Sequence, residues 1–197
     1  MENSFEALIA SYIETKVGTS EHFLSDELAN NLKKNLLVLN KQDLLITAGT
    51  GNSEAIAYDS AVRSDSIYWL DKKNNNVFEN QFFEQIEAFI RYLNQSCYTG
   101  ITGYEFHYSL YEKGDFYLPH YDQFQNNSSR KYSMISYLNN DWQPKDGGEL
   151  LIHQENNNQK IAPTQGKTVF FKSDELLHEV LVTQNTRMSI TGWLKCN

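Results

Sequence analysis

The sequence predicts an α+β fold: a double-stranded β-helix, or jelly roll, with N-terminal helices packed on its major sheet. Residues 1–100 carry apolar side chains mainly at helical spacing. From Gly103 onward, short β-branched and aromatic runs recur between turn residues, which is typical of a jelly roll or barrel. Helices followed by strands indicate an α+β layout, and 197 residues suggest one domain. We expect residues 1–100 to form the helical support and residues 101–197 the β core.

The three helices are predicted from their apolar stripes. Residues 5–15, 25–39 and 77–94 each repeat apolar side chains every three or four positions. The hydroxyl of Ser25 can accept from the free amides of a helix and so marks the start of the second one. We expect each helix to bury its stripe against the rest of the protein.

Two strands and a long polar loop are predicted between the second and third helices. Residues 44–48 and 62–70 have strand character, and the segment 47–60 between them contains Gly49, Gly51 and many small polar side chains. Loops of this length without secondary structure are usually functional lids or disordered. We interpret the segment as a lid that closes on a peptide, the alternative being a solvated surface hairpin.

Eight strands are predicted in the second half of the chain from short apolar runs bounded by turn residues. They cover residues 104–111, 117–121, 130–138, 149–154, 159–162, 168–172, 179–183 and 187–194.

Composition argues against several classes of partner, although a local basic patch is still compatible with it. The net charge is -8 and the pI about 5.1, whereas proteins that bind duplex nucleic acid usually carry a basic face. No apolar run approaches the length of a membrane span, and the N-terminus has no signal-peptide pattern. Cys97 and Cys196 fit no zinc template and no disulfide framework. We expect a cytoplasmic protein with two free thiols and with neither nucleic acid nor membrane as a partner.

Three side chains have the spacing of a metal site. His120 and Asp122 are two residues apart, so on a strand they point to the same face. With His178 they would supply two imidazoles and one carboxylate, the facial triad that leaves coordination positions open on non-haem Fe(II). A His-x-Asp pair also occurs by chance, so the remaining context matters. The other histidines, which we interpret as surface or satisfied core residues, are His22, His107 and His153.

Arg187 adds a possible anchor for a dicarboxylate. A 2-oxo acid that chelates iron has a distal carboxylate, and the planar guanidinium pairs with a carboxylate through two hydrogen bonds. Ser189 lies two residues on, on the same strand face, and could add another hydrogen bond. The short turn VTQNT predicts that the strands bearing His178 and Arg187 are neighbours. The alternative for Arg187 is a surface salt bridge.

Four segments resemble one enzyme family. They are YEKGDFYLPHYD (residues 111–122), SYLNNDWQPKDGGELLIH (136–153), LHEVLVTQNTRMSITGW (177–193) and AVRSDSIYWL (61–70). Together they resemble the 2-oxoglutarate-dependent prolyl 4-hydroxylases, and the RSDSIYW and YLNNDW stretches are most similar to the hypoxia-inducible-factor type and its bacterial relatives.

The resemblance implies a role for each matching residue. Fe(II) would be bound by His120, Asp122 and His178. The 2-oxoglutarate pocket would contain Arg187, Tyr137, Tyr111 and Ser189. The substrate groove would contain Trp193, Tyr117, Arg63, Asp65 and Arg130, with Asp65 and Arg130 paired across its rim.

The resemblance also implies a reaction and its partners. The protein would hydroxylate C4 of a proline in a flexible loop of another protein, consuming O2 and 2-oxoglutarate, with Fe(II) as cofactor and ascorbate as reductant. Two alternatives stay open: an oxygenase of the same fold acting on a small molecule, another side chain or a nucleobase, and a metal-binding jelly-roll module without turnover. Arg187 argues against the second, because a passive module has no use for a carboxylate anchor.

Overall fold

The computed structural model describes residues 2–49, 59–123, 128–155 and 157–196. Most of the predicted lid falls on residues 50–58, outside the described residues. In the described ranges, two antiparallel sheets pack on each other and three helices cover the larger sheet. None of these three helices combines the length and apolar character needed to cross a membrane.

The helices form where their stripes predict them. Helix α1 spans Glu2–Thr15, α2 spans Asp26–Lys41 and α3 spans Val77–Cys97. As predicted, Ser25 caps α2: its hydroxyl accepts from the backbone N–H of Leu28 at 3.2 Å.

All eight predicted strands of the second half are present, close to their predicted limits. In chain order the strands are β1 (Gly18–Ser20), β2 (Ile46–Thr47), β3 (Ser66–Trp69), β4 (Gly103–Tyr111), β5 (Tyr117–His120), β6 (Arg130–Tyr137), β7 (Leu150–Ile152), β8 (Gln159–Ile161), β9 (Thr168–Lys172), β10 (His178–Val180) and β11 (Arg187–Lys195). The major sheet has the order β1-β9-β6-β11-β4-β3-β2, and the minor sheet has the order β5-β10-β7-β8. The predicted fold class, a double-stranded β-helix with helices on its major sheet, is confirmed.

Two features differ from the prediction. The sequence does not predict β1, because Gly-Thr-Ser has no apolar alternation; it forms by pairing with β9, Gly18 opposite Phe170. The strands that carry His178 and Arg187 are not neighbours: β10 belongs to the minor sheet and β11 to the major sheet. The turn between them therefore carries the chain from one sheet to the other.

The alternation of side chains along β4 separates the core from the cavity between the sheets. The residues that pack with the helices are Phe106, Tyr108 and Leu110. The residues on the opposite face, which line the cavity, are His107, Ser109 and Tyr111. A second apolar cluster, including Tyr137, Leu150, Ile161 and Phe171, closes the space between the sheets beside this cavity.

Glu79 is a buried carboxyl on α3. Its Oε1 accepts from Asn35 Nδ2 at 2.8 Å, whereas its Oε2 is buried without a hydrogen-bond partner in the described ranges. Burial raises the pKa of Glu79, although the hydrogen bond from Asn35 opposes this. The folded state therefore holds the proton more tightly than the unfolded chain, so the stability falls as the pH rises through the carboxyl range.

Replacing Glu79 with Gln keeps an acceptor for Asn35 and removes the buried charge. We expect the free energy of unfolding at neutral pH to rise by on the order of 1 kcal/mol, or about 2–4 °C in Tm. The gain should vanish below about pH 4, where the unfolded chain is protonated too. Denaturant titrations at both pH values measure this.

Glu87→Gln on the same helix is the control of opposite sign. Hydrogen bonds from Lys72 and Tyr104 lower the pKa of Glu87, so its charged form stabilises the fold above the carboxyl range. Its replacement should slightly lower stability at neutral pH. A loss of stability in Glu79→Gln at neutral pH would contradict the prediction.

Candidate metal and co-substrate site

The three predicted metal ligands converge at one edge of the minor sheet. His120 ends β5, Asp122 follows it by two residues, and His178 begins β10. Because β5 and β10 pair with His120 opposite His178, the two imidazoles lie side by side. One potential ligand atom from each of the three residues lies within 4.8 Å of the other two.

The backbone orients both imidazoles toward the carboxylate. The Nδ1 of His120 lies 2.8 Å from the carbonyl oxygen of Leu118, and the Nδ1 of His178 lies 3.0 Å from that of Leu176. Since a carbonyl only accepts, each Nδ1 carries the hydrogen and each Nε2 presents a lone pair. These Nε2 atoms lie 3.5 and 3.4 Å from the carboxylate oxygens of Asp122. Two lone pairs facing one carboxylate fit a divalent cation.

Electrostatics keep these groups in their metal-binding protonation states. Burial alone would raise the pKa of Asp122, but His178, His120 and the Ser133 hydroxyl hold it well below its usual range. The hydroxyl of Ser133 donates to Asp122 Oδ2 at 2.6 Å. Burial lowers the pKa of His178 to about 4, against the opposing charge of Asp122. The carboxylate is thus charged and the imidazole neutral near pH 7.

A cavity of about 280 Å³ lies between the sheets beside these ligands. It brings together nine of the predicted site residues: Arg63, Tyr111, Tyr117, His120, Asp122, Arg130, His178, Arg187 and Trp193. The other three, Asp65, Tyr137 and Ser189, are buried behind this lining and contact Arg63 or Arg187.

Arg187 is a buried cation in the cavity wall, only 3% exposed. Its Nε donates to the carbonyl oxygen of Gly148 at 2.9 Å, and its Nη1 donates to Ser189 Oγ at 3.3 Å. Its Cζ lies 4.8 Å from the ring centroid of Tyr111 and 5.2 Å from that of Tyr137. Among the residues whose positions are described, no carboxylate forms an ion pair with it. A buried charge without its partner is costly, so an anion bound beside Arg187 would relieve that cost.

Gly148 holds Arg187 in place and has no room for a side chain. Its φ of +74° lies in the left-handed region, and an added Cβ would lie 2.8 Å from Thr183 Cγ2 and 3.0 Å from Arg187 Cδ. The sequence analysis did not identify Gly148 as part of the site. The pair Gly147-Gly148, directly before the predicted strand 149–154, was the available signal.

Tyr137 places a second polar group near the guanidinium. Its hydroxyl is buried and has no hydrogen-bond partner within the described ranges. Burial raises its pKa to about 12, although Arg187 opposes the shift. The hydroxyl therefore stays protonated and can donate to an anion held by Arg187.

The predicted pair between Asp65 and Arg130 is wrong. Arg63 holds Asp65 through two hydrogen bonds, Nε to Oδ1 at 2.8 Å and Nη2 to Oδ2 at 2.7 Å. Arg130 instead pairs with Glu105, Nε to Oε1 at 2.8 Å. Asp65 is fully buried and pairs with Arg63, two residues before it on the same segment. The prediction had instead placed Asp65 at the exposed rim of the groove.

Aromatic rings fix two sides of the cavity. The ring of Tyr117 stacks on His120, with centroids 3.5 Å apart and an interplanar angle of 14°. The guanidinium carbon of Arg130 lies 3.4 Å from the ring centroid of Trp193. Tyr117 therefore supports a candidate metal ligand, and Arg130 restrains the indole.

His107 was wrongly expected to be a surface or satisfied core residue. It lines the cavity, and its Nδ1 is buried without a hydrogen-bond partner in the described part of the chain. The other two histidines agree with expectation: His22 is exposed, and His153 Nε2 lies 2.9 Å from Glu179. The predicted strand 104–111 carried the missing signal, because alternation puts His107 on the same face as Tyr111.

Known proteins resemble this chain in sequence and structure. Residues 106–195 match the family model of the 2OG-Fe(II) oxygenase superfamily. A prolyl-4-hydroxylase from Pseudomonas putida is 28% identical, with a TM-score of 0.88 over 98% of this chain and 99% of that one. A Trichoplax adhaerens prolyl hydroxylase, solved with a hypoxia-inducible-factor peptide fragment, is 21% identical with a TM-score of 0.88, over 98% and 90% of the two chains. The latter likeness shows the fold.

Replacing Ser133 with Ala should weaken metal binding, because Asp122 loses the hydroxyl that fixes its carboxylate. The loss of such a supporting hydrogen bond typically costs about 10–100-fold in metal affinity. Titration with Co(II) or Mn(II) measures it. Ser136→Ala is the matched control, since Ser136 is a buried serine of the same strand whose hydroxyl bonds to Thr168. Equal affinities for the two variants would contradict the role of Ser133.

Proposed function

We propose that the protein, whose residues 106–195 match the family model of the 2OG-Fe(II) oxygenase superfamily, hydroxylates C4 of a prolyl residue in a protein substrate. Fe(II) would be the cofactor, 2-oxoglutarate and O2 the co-substrates, and ascorbate the reductant. One observation carries the proposal: the buried guanidinium of Arg187 and the His120, Asp122 and His178 cluster share one cavity.

The site fits 2-oxoglutarate through complementary charge. One carboxylate would pair with Arg187, and the Tyr137 hydroxyl would donate a further hydrogen bond. The other end of the molecule would face the metal held by His120, Asp122 and His178. When bound, Fe(II) and 2-oxoglutarate supply the oxidising chemistry: 2-oxoglutarate and O2 become succinate and CO2, and one oxygen atom enters a substrate C–H bond.

The residues of this chain orient the reactants and keep water out. Backbone carbonyls fix both imidazoles, and Ser133 fixes the carboxylate, so these three side chains would hold a metal ion without rearranging. Tyr117 covers one face of His120. The tyrosines beside Arg187 exclude water from the guanidinium, which strengthens its attraction for a carboxylate.

The choice of a prolyl substrate rests on similarity and on the cavity wall. The Pseudomonas putida protein at 28% identity is described as a prolyl-4-hydroxylase. Trp193 lies on the same strand and face as Arg187, further along the cavity wall, and offers a flat apolar surface suited to a pyrrolidine ring. The carboxylates of Asp65 and Glu105 already pair with Arg63 and Arg130. Neither carboxylate is therefore free to attract a cationic side chain of a substrate.

The decisive experiment separates co-substrate turnover from substrate identity. The protein with Fe(II), ascorbate and 2-oxoglutarate should form succinate and, incubated with a lysate, should add one oxygen atom to specific prolines seen by peptide mass spectrometry. Arg187→Ala should weaken 2-oxoglutarate binding by roughly 30-fold to several thousand-fold, since truncating one partner of a buried charge pair costs about 2–5 kcal/mol. Arg91→Ala, on the exposed face of α3, is the control. Succinate formation with oxygen added to a different residue type would overturn the prolyl substrate.

Replacing Gly148 with Ala should weaken 2-oxoglutarate binding while metal binding persists. The new methyl group would displace the Arg187 side chain and strain a backbone with positive φ. We expect about a tenfold or greater loss of affinity in calorimetry, on the order of 1.4 kcal/mol or more. Gly103→Ala is the matched control, because no atom lies within 4 Å of its added Cβ. Unchanged 2-oxoglutarate affinity in Gly148→Ala would show that Gly148 does not position Arg187 for this ligand.

A further inference from the structure

His107 and Trp193 form a ring contact in the cavity wall, far from the co-substrate anchor. Their ring centroids lie 5.5 Å apart. Arg187 pairs with Tyr111 in the β4–β11 register, and His107 lies four residues before Tyr111 on β4. At about 3.3 Å per residue this is roughly 13 Å along the strand. A five-carbon diacid held between Arg187 and the metal ligands would not reach His107, so this end of the cavity belongs to the substrate.

Both rings carry a polar atom that nothing in the described ranges satisfies. The Nδ1 of His107 and the Nε1 of Trp193 are each buried without a hydrogen-bond partner. An indole N–H can only donate, and a neutral imidazole has one N–H to donate. Burial lowers the pKa of His107 to about 3, with Arg63 and Arg130 adding to the shift, so the ring is neutral. A fold that keeps two unpaired donors in one wall suggests a ligand with acceptors.

The surroundings make this wall rich in donors. The guanidiniums of Arg63 and Arg130 lie at its edges, and the nearby carboxylates of Asp65 and Glu105 already accept from them. A ligand that brings carbonyl groups and no N–H matches such a wall. The peptide unit before proline is a tertiary amide without an N–H, so a prolyl residue and its predecessor offer two carbonyls and no donor between them.

We propose that His107 is a specificity-determining residue: together with the Trp193 indole it donates to the two carbonyls that flank the target proline. This inference rests on the proposed prolyl hydroxylation. Any other residue would bring an N–H next to the indole of Trp193 and the guanidiniums of Arg63 and Arg130, which only donate, and an unpaired buried polar group discriminates strongly between substrates. Neither nitrogen reaches solvent in this structure, so binding requires a ring to move. The exposed ring that packs against both is Trp69, which is 43% exposed and lies 4.9 Å from His107 and 6.3 Å from Trp193.

The test uses two small probes that differ in one N–H. N-acetyl-proline dimethylamide has two carbonyls and no N–H, whereas N-acetyl-alanine dimethylamide has the same carbonyls and one N–H. Both are titrated by NMR into ¹⁵N-labelled protein loaded with Zn(II) and 2-oxoglutarate, with the Trp193 indole N–H as the reporter. The wild type should bind the proline probe about tenfold more tightly, the effect of one hydrogen bond gained or left unmade. Equal affinities for the two probes, or no indole shift with either, would overturn the proposal.

Variants separate recognition from a structural role. His107→Phe should lose about tenfold in affinity for the proline probe and most of the preference over alanine, and His107→Asn, which returns an N–H donor, should recover part of both. Because Phe removes an unpaired polar atom, its Tm should not fall. His22→Phe, at an exposed position, is the matched control. A lower Tm with unchanged probe selectivity in His107→Phe would make the histidine structural.

These experiments distinguish the proposed prolyl hydroxylation from the proposed specificity role of His107. Succinate formation without any hydroxylated proline would overturn the prolyl function, and the probe preference would then fail in the wild type too. Prolyl hydroxylation with unchanged substrate selectivity in His107→Phe would overturn this inference alone.

Discussion

The two-residue alternation of side chains along β4, β6 and β11 is the constraint on which the molecule depends. One face of each strand buries apolar residues against the helices, and the other faces the cavity, to which β4 and β11 contribute polar side chains such as His107 and Arg187. A register slip of one residue would reverse both faces at once. The register that buries the core therefore also positions the site. Met188 and Ile190 pack β11 against the helices, while Arg187 and Ser189 face the opposite way.

The interior combines groups whose interactions are incomplete without ligands. Two imidazole lone pairs face the Asp122 carboxylate, and Arg187 lies buried without a carboxylate partner in the described residues. Each arrangement costs free energy that apolar packing elsewhere must offset. A ligand that binds only the folded state adds its own free energy to stability, so metal and diacid should both raise the unfolding temperature.

The sequence predicted the parts of the fold that depend on local pattern. Helical stripes and strand alternation are short-range signals, so all three helices and the eight strands of the second half were predictable. Pairings across the structure were not: β1 has no pattern of its own, and the partners of Asp65 and Arg130 follow from side-chain packing. The alternation that puts Tyr111 in the cavity also puts His107 there, but a histidine alone does not reveal whether it is hydrogen-bonded.

The major sheet ends in its two shortest strands, β1 with three residues and β2 with two. A sheet edge exposes unpaired backbone groups in proportion to its length, and long free edges recruit strands from other molecules. Here the long central strands, β4 and β11, are paired on both sides, and each margin, as far as the described residues show it, offers only a few free amides and carbonyls. Short edge strands therefore limit edge-to-edge association between molecules. At high protein concentration this β-rich protein should not readily form fibrils.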